Sequence, residues 1–146
     1  MTRGVLLDAN LIMEAFDHEG TAAPEIKAKA KQRMTELLSD PDLVVAITPL
    51  IRYEVLRGVA AADAVRHQAL ADALTQFETY EIRAIEANLA ADLWRYAVSR
   101  GQKPARRSFD VVHIASARAN NLEVISSDGD IAKLLSLYDE MKKVMN

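Results

Sequence analysis

Residues 4–10 read GVLLDAN, an apolar run that stops on the carboxylate of Asp8. Consecutive apolar residues without polar alternation mark a strand buried on both faces. A carboxylate that closes such a strand needs a reason. Either it caps the next helix by accepting from a free N–H, as Asp8 or Asn10 could here, or it belongs to a site. Two further runs of the same kind are LVVAI at 43–47 and LEVIS at 122–126, and YEIRAI at 80–85 is a fourth candidate strand. Between these runs the pattern turns helical. Ile26, Ala30, Met34, Leu37 and Leu38 recur at helical spacing within 22–39, until SDPD at 39–42 breaks the run. TPLIRYEVLRG at 48–58 has Thr48 at the N-cap, Pro49 at the first helical position and Gly58 at the end. Helices are also expected over 60–77, over 86–101 up to Gly101, and from Ser108 to Asn121, and another starts in DGDIAKLLSL after Ser127. Apolar strands alternating with helices predict an α/β fold: a three-layer α/β/α sandwich around a central, mainly parallel sheet of four to five strands.

The 146 residues fit one domain, 1–146, with no repeat or linker. The chain is 50% hydrophobic and 27% charged, an ordinary globular balance. It has no cysteine, which excludes disulfides and thiolate metal sites. No stretch approaches the roughly 20 apolar residues of a membrane span, and the N-terminal run is far too short for a signal sequence. These features predict a soluble, cytoplasmic protein. The net charge of −3 argues against simple electrostatic clamping of nucleic acid, but not against a local basic patch or bridging by a metal.

In an open α/β sheet, ligands bind beyond the carboxyl ends of the strands. Asp8 ends the first strand, Asp128 and Asp130 follow the last one, and Asp110 lies in the first turn of the Ser108 helix. Glu54 lies about a turn and a half into the helix after LVVAI, so it has to reach inward. Taken singly, Asp8 reads as a helix cap, Asp110 as a helix-dipole partner, Asp128 and Asp130 as turn residues, and Glu54 as surface. Together, acids from four separate elements aimed at one edge are poorly explained as unrelated caps. Two like charges about 5 Å apart at an effective dielectric near 20 repel by roughly 3 kcal/mol, which a divalent cation relieves. All-oxygen donors suit Mg²⁺ or Mn²⁺ rather than zinc.

With LLDAN, TPLIRYEVLRG and FDVVHIASARANNLEVISSDGD in this order, and Asp110 eighteen residues before Asp128, the chain resembles a PIN-domain ribonuclease of the bacterial VapC toxin type over nearly its whole length. The resemblance implies a metal-dependent endoribonuclease that cleaves RNA, works as a homodimer and is silenced by a cognate antitoxin. It implies an acidic set of Asp8, Glu54, Asp110 and Asp128 as catalytic residues and metal ligands, with Asp130 as an extra acid and Asn10 and Thr48 as polar residues that orient them. Ala9 and Ile131 depart from the pattern, standing where a hydroxyl residue and an aromatic one are common.

His113, three residues after Asp110, shares its helix face; followed by IASA, it reads as a packed or hydrogen-bonded histidine rather than a base. RGQKPARR at 100–107 carries Arg100, Lys103, Arg106 and Arg107 with no acid. It is either a solvated loop or a phosphate-positioning patch beside the cut. Arg52 and Arg57 flank Glu54 and could neutralise it or face an acidic partner. The competing functional reading is a catalytically silent module of the same fold that binds RNA or a protein. A phosphate-receiving regulatory domain is disfavoured, because neither middle strand ends on an aspartate.

Overall fold

The computed structural model describes residues 3–102, 108–126 and 128–145. The GVLL run forms β1, Arg3–Leu7, and LVVAI forms β2, Leu43–Ile47. Between them lie α1, Ala9–Phe16, and α2, Pro24–Ser39. After β2 come α3, Pro49–Arg57, and α4, Ala64–Leu74. Next are β3, Glu78–Thr79, and α5, Ala84–Ser99. The chain closes with α6, Ser108–Ala119, then β4, Glu123–Ile125, then α7, Gly129–Met145.

The sheet order is β3-β2-β1-β4, and every pairing is parallel. The last three residues of β1 and of β2 are all buried, so each strand is covered on both faces, as its apolar run requires. β1, β2 and β4 pack with α1, α2, α3 and α4 in one apolar cluster, while α5, α6 and α7 close on a second one around Leu93, Ile114 and Met141.

One expected strand is displaced. YEIRAI at 80–85 does not pair as a strand; β3 is the exposed two-residue segment before it, and only the Tyr80 N–H still donates to the Ile47 carbonyl, at 2.9 Å. Charge explains the shift. Glu86 folds back, and its carboxylate accepts from the Arg83 backbone N–H at 3.2 Å and from the Arg83 guanidinium at 2.7 Å. That starts α5 at Ala84 and draws the apolar end of the run into the helix. Helix stops follow the sequence more closely. Gly101 takes a left-handed φ of 78°, and the Gln102 N–H donates to the Ala97 carbonyl at 2.9 Å, closing α5. Asn121, with φ 55°, does the same for α6 and turns the chain into β4.

Candidate active site

The strand order reverses between β1 and β4: the chain runs from β1 through β2 to β3 on one side, and β4 then pairs on the other side of β1. Such a switch point leaves a crevice beyond the strand ends, because the connections leave in opposite directions. Asp8 stands there, at the N-cap position of α1, yet its side chain makes no cap hydrogen bond. Instead its Oδ2 accepts from the Ser126 hydroxyl at 3.0 Å, across the end of β4. The Ser126 oxygen in turn accepts from the Asp128 N–H at 3.0 Å. Asp128 Oδ1 accepts from the Asp130 N–H at 2.9 Å, which makes Asp128 the N-cap of α7. Asp8 is thus tied to the neighbouring strand's exit rather than to its own helix.

Glu54 enters from α3. It is 16% exposed, and its Oε1 meets Nε2 of His113, a residue of α6 only 3% exposed. The imidazole thus holds the carboxylate at the cavity wall. Asp110, in the first turn of α6, approaches from the same helix. Asp8, Glu54, Asp110, Asp128 and Asn10 all line one cavity of about 310 Å³, shared with Arg57, Ser108 and Phe109. The expected convergence of the four acids on one edge of the sheet is therefore realised in a single cavity.

Other expected site residues stand elsewhere. Asp130 is outside the cavity lining and lies 3.8 Å from Lys133, one turn on. Thr48 is fully buried, and its hydroxyl oxygen accepts from the Ile51 N–H at 3.2 Å; it starts the helix that carries Glu54 and touches the cavity nowhere. Arg100 pairs with Glu140 at 2.9 Å, linking α5 to α7 away from the cavity. Lys103, Arg106 and Arg107 lie outside the described residues. Ala9 and Ile131, the two departures from the family pattern, are both buried. The sequence reading missed Ser126, the Glu54–His113 pairing, and Arg57 and Phe109 as cavity residues. Ser126 carried one faint signal, a small hydroxyl directly after an apolar strand.

The field of the acids is felt nearby. Glu14 of α1 has its carboxyl raised above the usual carboxylate range, first by burial and then by the negative charge of Asp8. Among the described residues no three His, Asp or Glu side chains stand close enough together to ligate one ion by themselves. The donor set is nonetheless the chemistry of Mg²⁺ or Mn²⁺: carboxylate oxygens around an open cavity, with room for the waters that Mg²⁺ keeps.

The fold recurs in solved structures. VapBC2 from Rickettsia felis bound to a DNA fragment from their promoter superposes with a TM-score of 0.68 at 15% identity, over 86% of this chain and 87% of that one. A toxin–antitoxin complex from Klebsiella pneumoniae gives 0.61 at 23% identity, over 85% and 86%. PAE2754 from Pyrobaculum aerophilum gives 0.55 at 17% identity, over 97% and 96%. No curated protein matches the chain. The PIN domain model matches residues 5–135, which takes in the buried end of β1, all four cavity acids and the first turns of α7. The chain belongs to the PIN domain family.

Proposed function

We propose that this chain is a metal-dependent endoribonuclease that cleaves RNA phosphodiester bonds, the VapC-like toxin of a type II toxin–antitoxin pair. In this reading it acts in the cytoplasm as a homodimer and is held in check by a cognate antitoxin. The observation that carries the reading is the cavity at the β1/β4 switch point, where Asp8, Glu54, Asp110 and Asp128 arrive from four separate elements. Membership of the PIN family and the likeness to toxin–antitoxin complexes support it.

In the mechanism, Asp8, Asp110, Asp128 and Glu54 would hold Mg²⁺ or Mn²⁺, directly or through water. The ion, when bound, supplies Lewis-acid activation of water and charge neutralisation at the scissile phosphate. The chain's own residues supply position. Ser126 fixes the Asp8 carboxylate through its hydroxyl. His113 holds one oxygen of Glu54, and the other would orient the attacking water. Asp128, anchored as the cap of α7, faces the same space from the far side of β1. Lys103, Arg106 and Arg107 would steady the strand's phosphates beside the cut.

The alternative, a catalytically silent module that binds RNA or a protein, is favoured by one observation: no three of the described acidic or histidine side chains are close enough to ligate an ion unaided. One assay separates the two. A mixed RNA pool is incubated with Mg²⁺ or Mn²⁺, with and without EDTA, and the new 5′ ends are sequenced. The ribonuclease reading expects metal-dependent ends at defined positions. An uncut pool, or cutting that survives EDTA, sinks it.

A further inference from the structure

Arg57 lies three residues after Glu54 on α3 and lines the same cavity. A cation at that spacing from a carboxylate ordinarily pairs with it. Here it does not: among the described residues no carboxylate lies within ion-pairing distance of Arg57, and Glu54 is engaged by His113 instead. The guanidinium lies over two aromatic rings, 5.4 Å from the centroid of Tyr53 and 5.2 Å from that of Phe109. The two rings meet edge to face, 6.0 Å apart at 75°. Tyr53 comes from α3 and Phe109 from α6, and each immediately precedes a cavity acid, Glu54 and Asp110. The cluster is therefore held in register with the carboxylates by the backbone itself. Tyr53 stands outside the cavity lining but meets Phe109, which is part of it, and at 53% exposed it leaves a large part of its surface open to solvent.

We propose that Tyr53, Arg57 and Phe109 form a nucleotide subsite beside the scissile bond. An unpaired nucleobase stacks on Tyr53, and the adjoining phosphate rests on the Arg57 guanidinium, which Phe109 holds from behind. This rests on the ribonuclease reading and extends it to the flanking nucleotide. The chemistry is that of single-strand recognition. An aromatic face takes any base but requires it to be out of a duplex stack. A planar guanidinium donates to phosphate oxygens and also lies flat on rings. The aromatic rings keep the cation near four carboxylates without neutralising any of them, so its charge stays available to an incoming anion.

The test uses a single-stranded RNA oligomer that the chain cuts, and a set of the same strand with one abasic position each. Binding is read by fluorescence anisotropy in Ca²⁺, over times too short for cutting, beside cleavage rates in Mg²⁺. Tyr53→Leu weakens binding of the intact strand about tenfold, the scale of one stacked base, and has no effect on the strand abasic at one position next to the cut. Arg57→Gln lowers the salt dependence of binding by about one phosphate contact. Both variants should melt close to wild type, since both side chains are exposed. A Tyr53→Leu chain that binds and cuts every strand as wild type does overturns the subsite, while leaving the ribonuclease reading intact; the patch would then face a protein partner. A wild-type chain that neither binds nor cuts any RNA overturns the ribonuclease reading and the subsite with it.

Discussion

At the scale of single residues, the site consists of acids whose roles differ by what holds them. Asp8 and Asp128 are joined through Ser126, while Glu54 leans on His113. Replacing Asp8, Glu54, Asp110 or Asp128 by Ala should lower RNA cleavage at least about 100-fold each, because in the proposed mechanism each removes a carboxylate that would hold the ion or orient the water. Asp130→Ala should be milder, since Asp130 is outside the cavity lining. Single-turnover rates on a defined RNA decide this, and full activity in any one variant removes that residue from the site. Ser126→Ala offers a finer probe. It deletes the donor to Asp8 and the acceptor for the Asp128 N–H, so stability should drop by about 1 kcal/mol and cleavage by about tenfold at saturating metal. A Ser126→Ala enzyme that cuts at the wild-type rate would show that Asp8 is oriented without it. The Asp8–Ser126 and Glu54–His113 pairings could not be read from the chain, since their partners are 118 and 59 residues apart.

An ion pair away from the cavity, with its carboxylate buried, ties α1 to α4. Asp17, at the end of α1, accepts from Arg66 Nε of α4 at 2.8 Å, with a second contact through the other guanidinium nitrogen. The Arg66 hydrogen bonds hold the Asp17 carboxyl below the usual carboxylate range, against the opposing effect of burial. A carboxyl depressed in the folded state stabilises that state above its unfolded pKa, near 3.9, and loses that contribution as pH falls through the lower folded value. Asp17→Asn should therefore cost about 2 kcal/mol at pH 7, the scale of a charge-assisted hydrogen bond, because the Arg66 left behind still reaches solvent. The gap from wild type should narrow steadily below about pH 4. Urea melts at pH 7, 5 and 3 test this, and a gap that is constant with pH would mean that the cost is packing rather than charge. Glu86, fully buried and also depressed chiefly by its hydrogen bonds from Arg83, adds to the same acid sensitivity at the start of α5.

Over the whole molecule, the cavity draws on the sheet and on helices from both apolar clusters, so whatever binds there is linked to global stability. An ion that binds only the folded chain stabilises it by about 2.7 kcal/mol at a hundredfold excess over Kd. For a chain of this size that raises the melting temperature by roughly 8 °C. Mn²⁺ or Mg²⁺ should therefore raise the wild-type Tm by several degrees and the Asp8→Ala Tm by less than half as much. Equal shifts in the two proteins would place the ion elsewhere. Among the described residues no helix is long and apolar enough to cross a membrane.

The sequence by itself determined the elements whose causes are local. Three parallel strands follow from apolar runs, the start of α3 from Thr48 and Pro49, and the stop of α5 from Gly101. Such signals act within a turn or along one strand, so they survive without knowledge of the fold. The four acids were legible as candidates for the same reason: each sits at a strand end or on a helix whose place in a parallel sheet is predictable. The tertiary structure decided the rest. The position of β3 turned on Glu86, which closes back on Arg83 within one turn and is also reached by Asn120 of α6. The partners of Asp8, Glu54 and Arg57 depended on which strand lies beside β1 and on how α3 meets α6. Those contacts join residues far apart in the chain, and only the strand order, with β4 paired against β1, brings them within hydrogen-bond or ring-contact distance.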